Sequence, residues 1–380
     1  MLKILVIIPA RGGSKGIPRK NLRSLNAQPL ISYSINTALK SKYNADVYVS
    51  SEDEEILSIA ESLGAKIHLR NSELANDKAT LDPVIYNAYK EICLKEDKQY
   101  DLIVTMQATS PLLKVNTLDG AIEKIAKNPS IDTVISAIND THLTWNENGN
   151  TGYSPNYEAR VNRQYLPPVY KETGGFLITR SSVINSETRI GKNVQLSIIT
   201  NQQEAIDIDG YQDWNLCEFY LKRKTIVIVV SGYTEIGLGH VYNTLILANE
   251  ILNHRLVFLV DSKSQLALEK IRENNYEAYR QGSENIVDDI AKFNPSLIIN
   301  DRLDTEESYV LQLKAIGAKV LNIEDLGPGS MLADRVINAI YPEKKKVNNH
   351  YYGGEYFCAR EEFFLVQDKE DSKDVKSVLI

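Results

Sequence analysis

The stretch Ile7–Leu22, IIPARGGSKGIPRKNL, closes the apolar run Leu2–Ile8 and opens a loop carrying Gly12, Gly13 and Gly16 among the cations Arg11, Lys15, Arg19 and Lys20. Glycine lets the backbone turn with positive φ and lets N–H groups approach an anion closely. A strand feeding such a loop, in a chain that is acidic overall, points to a polyphosphate cradle rather than to a general basic patch. The spacing is not that of a P-loop, because no Gly-Lys-Ser/Thr opens a helix, and there is no G-x-G-x-x-G. The plain alternative for the loop alone is a turn with solvated lysines, and the stretches below weigh against it.

At 380 residues the chain is long enough for two α/β domains, and its 43% hydrophobic content supplies apolar side chains for two cores. A formal net charge of -7, with no basic stripe to offset it, argues against a nucleic-acid partner. An N-terminus that starts on a core strand implies no signal peptide, and no apolar run reaches membrane-spanning length. Cys93, Cys217 and Cys358 lie far apart without a C-x-x-C pair, which fits free thiols in the cytoplasm and gives no hint of zinc.

From residue 1 to about 224, short apolar runs alternate with amphipathic ones. Strands are predicted at Leu2–Ile8, Ala45–Ser50, Lys66–Leu69, Asp101–Met106, Thr133–Ala137 and Gly175–Thr179. Helices are predicted at Ile31–Leu39, Glu54–Leu63, Val84–Leu94 and Thr117–Ile125, from apolar spacings of three and four. Strand–helix alternation implies an α/β fold with a mostly parallel sheet, whose ligands bind at the carboxyl ends of strands. The first loop sits at such an end.

Further stretches carry chemistry. Ser50–Glu55 reads as a capped helix start, with Asp53, Glu54 and Glu55 facing the positive end of the helix. Gln107 ends a predicted buried strand, where an amide can both donate to and accept from sugar hydroxyls. Arg163–Phe176 has a proline-broken loop composition that runs into a strand. Asp207 and Asp209, one residue apart on a segment read as extended, would share a face and need a cation or hydrogen bonds between them. Hard oxygen donors suit Mg²⁺, which takes one or two carboxylates plus substrate phosphates. Asp213 reads as a helix cap.

Ile7–Leu22 closely resembles the N-terminal motif of the acylneuraminate (CMP-sialic acid synthetase) cytidylyltransferases, a looser version of which occurs in related sugar nucleotidyltransferases. Arg70-Asn71-Ser72-Glu73-Leu74-Ala75 matches that family's R-x-x-E-L-A run, Gln107–Leu112 its Q-x-T-S-P-L, Arg163–Pro167 its R-Q-x-L-P, and Asp207–Asp209 its D-x-D. The resemblance implies a cytidylyltransferase that passes CMP from CTP to a nonulosonic acid with Mg²⁺ as cofactor. It implies nucleotide contacts from Arg11, Gly12, Gly13, Ser14, Lys20, Asn21 and Arg70, and sugar contacts from Gln107, Arg163 and Lys171. Asp207 and Asp209 would hold the metal, and Arg11, Lys20, Gln107 and Asp209 would form the catalytic set. It further implies a homodimer in which the 160–175 segment offers Arg163 and Lys171 to the partner's site. Lys171 replaces the more usual arginine, Thr173 and Leu177 depart from the family's Asn and Tyr, and His142–Trp145 lacks a lysine found in the sialic acid enzymes. Those departures bear on which sugar is used rather than on the reaction.

After the basic hinge Lys222-Arg223-Lys224, a second domain over 225–380 begins with the apolar strand Thr225–Val230. Gly237-Leu238-Gly239-His240 opens a helix over Val241–Leu252, and strands are predicted at Leu256–Val260, Leu297–Asn300 and Val320–Ile323, a second Rossmann-like pattern. GLGH, Ile323–Gly327 (IEDLG) and Tyr356–Phe363 (YFCAREEF) resemble the N-terminal half of B-type glycosyltransferases. More narrowly, they resemble the UDP-sugar hydrolase of pseudaminic acid biosynthesis, which implies a catalytic His240. Against activity stand Asn243, where those hydrolases carry arginine, and Ser377–Ile380, which reads as the first strand of an absent second half. Glu343–Tyr352 reads as an exposed crossover. The alternatives are a 3-deoxy-octulosonate-type cytidylyltransferase, disfavoured by the D-x-D pair and the R-Q-x-L-P run, or a scaffold whose second domain recruits a pathway partner.

Overall fold

The computed structural model describes residues 2–14, 16–76, 79–149, 152–342 and 347–359. Lys15, the stretch 343–346, and everything from Arg360 on lie outside the described residues, and with them part of the YFCAREEF run and the proposed terminal strand Ser377–Ile380. The chain divides between Lys222 and Arg223 into two compact units.

The first unit runs β1 (Ile4–Pro9), β2 (Ser24–Leu25), β3 (Gln28–Pro29), α1 (Leu30–Leu39), β4 (Asp46–Ser51), α2 (Glu54–Ser62), β5 (Lys66–Leu69), α3 (Leu81–Glu96) and β6 (Leu102–Thr105). It continues with α4 (Val115–Lys127), β7 (Thr133–Asn139), β8 (Trp145–Glu147), β9 (Tyr153–Pro155), β10 (Tyr170–Arg180), β11 (Val194–Ile198) and α5 (Tyr211–Lys222). Seven strands form one sheet in the order β11-β7-β10-β6-β1-β4-β5. All its pairings are parallel except those of β10, which runs antiparallel to both β6 and β7. The predicted Gly175–Thr179 strand is therefore longer than its apolar run, and it is reversed. Its register shifts between Glu172 and Leu177, around Gly174-Gly175.

β1 shows why this sheet forms. Ile4, Val6 and Ile8 point to one face, where α1, α2 and α4 pack, while Leu5 and Ile7 point to the other, against Ile85, Ala88 and Ile92 of α3. A strand covered on both faces needs a continuous apolar run, and each such side chain contributes about 1.5–3 kcal/mol on burial. Neighbours of β1 diverge at its carboxyl end, with β4 on one side and β6 on the other. That is the switch point at which ligands bind in open α/β sheets.

The second unit runs β12 (Thr225–Val230), α6 (Gly239–Glu250), β13 (Arg255–Val260), α7 (Gln265–Glu273), β14 (Ala278–Arg280), α8 (Ile286–Ala291), β15 (Leu297–Asp301), α9 (Glu307–Ala315), β16 (Lys319–Ile323), β17 (Arg335–Asn338) and β18 (His350–Tyr352). Its sheet has the order β14-β13-β12-β15-β16-β17-β18 and is parallel throughout. Separate apolar clusters cover the two faces, and the switch point lies between β12 and β15. His350–Tyr352, expected within an exposed crossover, is instead the half-buried edge strand β18. Its short run His-Tyr-Tyr carries too little alternation to be read as a strand without its neighbour β17.

Candidate active site

The loop after β1 is held by four anchors. Asn21, almost buried, donates from Nδ2 to the Arg11 carbonyl at 2.9 Å and keeps the loop closed. Gly12 donates its N–H to Glu52 Oε1 at 2.8 Å, and a Cβ on Gly12 would lie 2.5 Å from Asp53 Oδ2. Arg19, at φ 52°, pairs with Glu55 at 2.5 Å and faces Asp53 at 3.6 Å. Lys20 donates from Nζ to the Ile208 carbonyl at 2.6 Å. Asp53 also caps α2, its Oδ1 accepting from the N–H groups of Glu55 and Ile56, as the sequence predicts.

Between this loop and the neighbouring strand ends lies a cavity of about 320 Å³. Arg11, Gly13, Ser14, Lys20, Asn21, Arg70 and Gln107 line it, with Leu74, Leu81 and Val84 as an apolar wall. Seven of the residues singled out from sequence therefore converge on one concavity at the β1/β6 switch point. Gly12 is set apart, since its amide is occupied by Glu52 rather than turned to the cavity. The sequence does not show this, because Glu52 is 40 residues away.

Arg70 follows β5 and is buried, with 7% of its surface exposed. Its Nε donates to Ser50 Oγ at 3.3 Å, its Nη2 to the Ser50 carbonyl at 2.5 Å, and its Nη1 faces Glu52 Oε2 at 3.8 Å. Burial pulls its pKa below the usual guanidinium value, against the attraction of Glu52. Burial likewise lowers Lys20, against the carboxylates of Asp209 and Asp207.

Those carboxylates reach the loop by close packing. A Cβ on Gly16 would sit 2.4 Å from the Asp209 carbonyl oxygen, and one on Gly174 would lie 3.0 Å from the Asp207 carboxylate. Gln107 joins the same frame, its N–H donating to the Gly174 carbonyl at 3.2 Å. Asp207 and Asp209 do not share one extended face. The segment is irregular, with Asp207 half-buried and Asp209 exposed, because Asp213 takes the N–H groups of Asp209 and Gly210 and turns the chain into α5. Asp213 thus has the capping part expected of it.

Arg163 and Lys171 do not line the cavity, and both are exposed. Arg163 lies between the separate β8–β9 hairpin and β10, and Lys171 lies on β10, where it pairs with Ile138; Trp145, Tyr153, Tyr165, Val169 and Tyr170 of the same stretch of chain are exposed as well. The β8–β9 hairpin is not among the predicted elements, since its strands are only three residues each.

In the second unit His240 opens α6 and its Nδ1 lies 2.6 Å from Oδ1 of the fully buried Asp301, at the end of β15. This hydrogen bond raises the His240 pKa. His240, Asn243, Arg302, Asp304 and Glu324 line a cleft of about 530 Å³ at the β12/β15 switch point.

Residues 5–226 match the family described as Cytidylyltransferase. The chain belongs to the cytidylyltransferase family. It is a nucleotidyltransferase. The chain is 34% identical over 226 residues to the pseudaminic acid cytidylyltransferase of Campylobacter jejuni, a match covering 58% of this chain and 97% of that protein. It is 33% identical over 223 residues to N-acylneuraminate cytidylyltransferase A of Danio rerio, covering 57% of this chain and 50% of that one. It is also 28% identical over 223 residues to the CMP-N,N'-diacetyllegionaminic acid synthase of Legionella pneumophila, covering 57% and 95%. Among the described residues, no helix is long and apolar enough to cross a membrane.

Proposed function

We propose that the first unit transfers CMP from CTP to the anomeric hydroxyl of a nonulosonic acid of the sialic, pseudaminic or legionaminic type. The sugar hydroxyl gives up its proton to solvent as its oxygen forms the new bond at the α-phosphorus, the bond from that phosphorus to the bridging oxygen breaks, and pyrophosphate leaves. What carries this reading is the convergence of Arg11, Lys20, Arg70 and Gln107 on one cavity, in a family whose relatives are named for these sugars. Such a displacement needs charge neutralisation and in-line placement more than covalent help. Arg11, Lys20 and Arg70 hold the phosphates, the Gly13 and Ser14 amides assist, Asn21 keeps the loop closed, and Gln107 orients the sugar.

Asp207 and Asp209 fit Mg²⁺ as a donor set. Asp207 Oδ1 is buried without a hydrogen-bond partner, as a ligand oxygen awaiting a cation would be. Among the described residues no group of three or more His, Cys, Asp or Glu could hold a metal, so these two carboxylates would share the ion with substrate phosphates. Bound there, Mg²⁺ supplies neutralisation of phosphate charge.

The exposed Tyr165, Val169 and Tyr170, together with an Arg163 and a Lys171 that are exposed and do not line the cavity, support a homodimer in which the 160–175 segment serves the partner's site. Light scattering tests this, and a monomer that turns over at full rate would reject it. The free cysteines support a cytoplasmic setting. The reaction itself is tested by pyrophosphate release from CTP and Mg²⁺ across nonulosonic acids and 3-deoxy-octulosonate. Release with one nonulosonic acid supports the reading, and release with octulosonate alone replaces it by the octulosonate enzyme.

The His240–Asp301 pair in its cleft favours a second reading for the other unit, namely that it binds or hydrolyses a UDP-sugar. A carboxylate on Nδ1 fixes the ring and leaves Nε2 as the proton acceptor. UDP release from a UDP-sugar panel, lost in His240→Asn, is the expected result. Absence of both binding and release would leave the scaffold reading.

A further inference from the structure

Behind Arg70 runs a chain of side chains that reaches the surface. His68 and Arg70 are two apart around the end of β5, and Ser50 is the cross-strand partner of His68 in the parallel β4–β5 register. Alternation along a strand puts residues two apart on the same face, which brings these three groups together. Ser50 Oγ accepts from Arg70 Nε at 3.3 Å and lies 3.0 Å from His68 Nδ1. His68 Nε2 lies 2.9 Å from Glu91 Oε2 on α3, and the other Glu91 oxygen accepts from Asn87 Nδ2 at 2.9 Å.

The donors fix the direction of this chain. An ionised carboxylate can only accept, so His68 Nε2 carries a proton, and in the neutral ring Nδ1 is then the acceptor for the Ser50 hydroxyl. The Ser50 oxygen is then turned with its lone pairs to the guanidinium. Each bond polarises the next in the same sense, from Arg70 out to Glu91. His68 is itself buried on a strand whose neighbours Lys66 and Leu69 are exposed. A histidine in that position costs desolvation that an apolar residue would not.

We propose that His68 is a positioning residue for the nucleotidyl transfer: through Ser50 it sets the guanidinium of Arg70 for the CTP phosphates, and Glu91 fixes its tautomer. The inference rests on the reading of Arg70 as a phosphate-binding group. The rotational freedom of an arginine is what such a chain removes, and a pre-set fork binds phosphate with less entropy lost.

The test is calorimetric binding of CTP and of cytidine to the full chain and its variants, with steady-state kinetics alongside. His68→Ala weakens CTP about tenfold, the scale of one charge-assisted hydrogen bond, and leaves cytidine binding unchanged. The KM for CTP rises while the KM for the sugar holds. His68→Asn, whose Oδ1 can accept from Ser50, restores most of the loss. The double variant with Arg70→Ala binds CTP no more weakly than Arg70→Ala alone. Equal losses for CTP and cytidine, or additive losses in the double variant, overturn the proposal. If Arg70→Ala weakens CTP and His68→Ala does not, the positioning role fails alone. If Arg70→Ala has no effect, the reading of Arg70 fails and the positioning role goes with it. Should His68→Ala not fold, Ser50→Ala, which removes the linking hydroxyl, gives the same comparison.

Discussion

Gly16 is packed against Asp209 so tightly that a Cβ would sit 2.4 Å from the Asp209 carbonyl oxygen. Together with the Lys20 Nζ bond to the neighbouring Ile208 carbonyl, this contact joins the glycine-rich loop to the carboxylate segment across nearly 190 residues of sequence (|i−j| = 188 for the Lys20 bond). Because the opposing atom is backbone, it cannot swing away as a side chain would. Gly16→Ala is expected to push the two segments apart and cut turnover about 10²-fold, the scale of a 1 Å misplacement of reacting groups. Circular dichroism should stay unchanged. Normal pyrophosphate release from Gly16→Ala would show that the loop and the carboxylates work independently.

Asp207→Asn and Asp209→Asn should each abolish turnover while sparing the fold. A carboxamide of the same size fills the same space but offers Mg²⁺ a neutral, weaker donor. For Asp207 the buried Oδ1 without a partner makes the loss hard to compensate. Pyrophosphate release and thermal melting are the two measurements, and an active Asp209→Asn removes that residue from the mechanism. Chelation of Mg²⁺ in the wild-type protein should have the same effect, reversed on adding the ion back.

Cys217 lies on the buried side of α5, and burial pushes its thiol pKa up to about 12. Only the thiolate is a good nucleophile, so Cys217 should resist iodoacetamide at pH 8 in the folded protein and react once unfolded. Peptide mapping reads this directly. Rapid labelling under native conditions would mean that α5 opens readily.

The Glu91 carboxyl has a pKa below its ordinary 4.5, chiefly through its hydrogen bond with His68. A folded-state pKa below the unfolded one gives stability that is present above the unfolded value and lost as pH falls through the folded one. Stability of the first unit should therefore fall more steeply below pH 4.5 in the wild-type protein than in Glu91→Gln. Glu91 is largely exposed, so the difference is small and calls for matched denaturant titrations at several pH values. Identical acid limbs would mean that the bond with His68 carries no net stabilisation.

Local pattern went far in this protein. Lys66–Leu69 and Thr225–Val230 are strands with the bounds their apolar runs predict, and Asp53 caps α2 as its place before two glutamates requires. The cations and glycines of Ile7–Leu22, with Arg70 and Gln107, were singled out from sequence, and Arg11, Gly13, Lys20, Arg70 and Gln107 line one cavity. These features are written in neighbouring residues, because burial on both faces demands an unbroken apolar run and the open N–H groups of a helix start can be met by a side chain close by in sequence, as Asp53 does at α2.

What the tertiary structure alone decided are relations between distant residues. The reversed direction of β10 depends on which strands it meets, and strand periodicity is the same in either direction. Glu52 takes the Gly12 amide, Asp213 takes the Asp209 amide, and Ser50, His68 and Glu91 line up behind Arg70. None of these leaves a periodic trace, since a single polar contact costs the sequence only one residue at each end. Composition and spacing determined that there would be a cradle at the end of β1. The packing of β4, β5 and the 206–209 segment around it decided which atoms face into it.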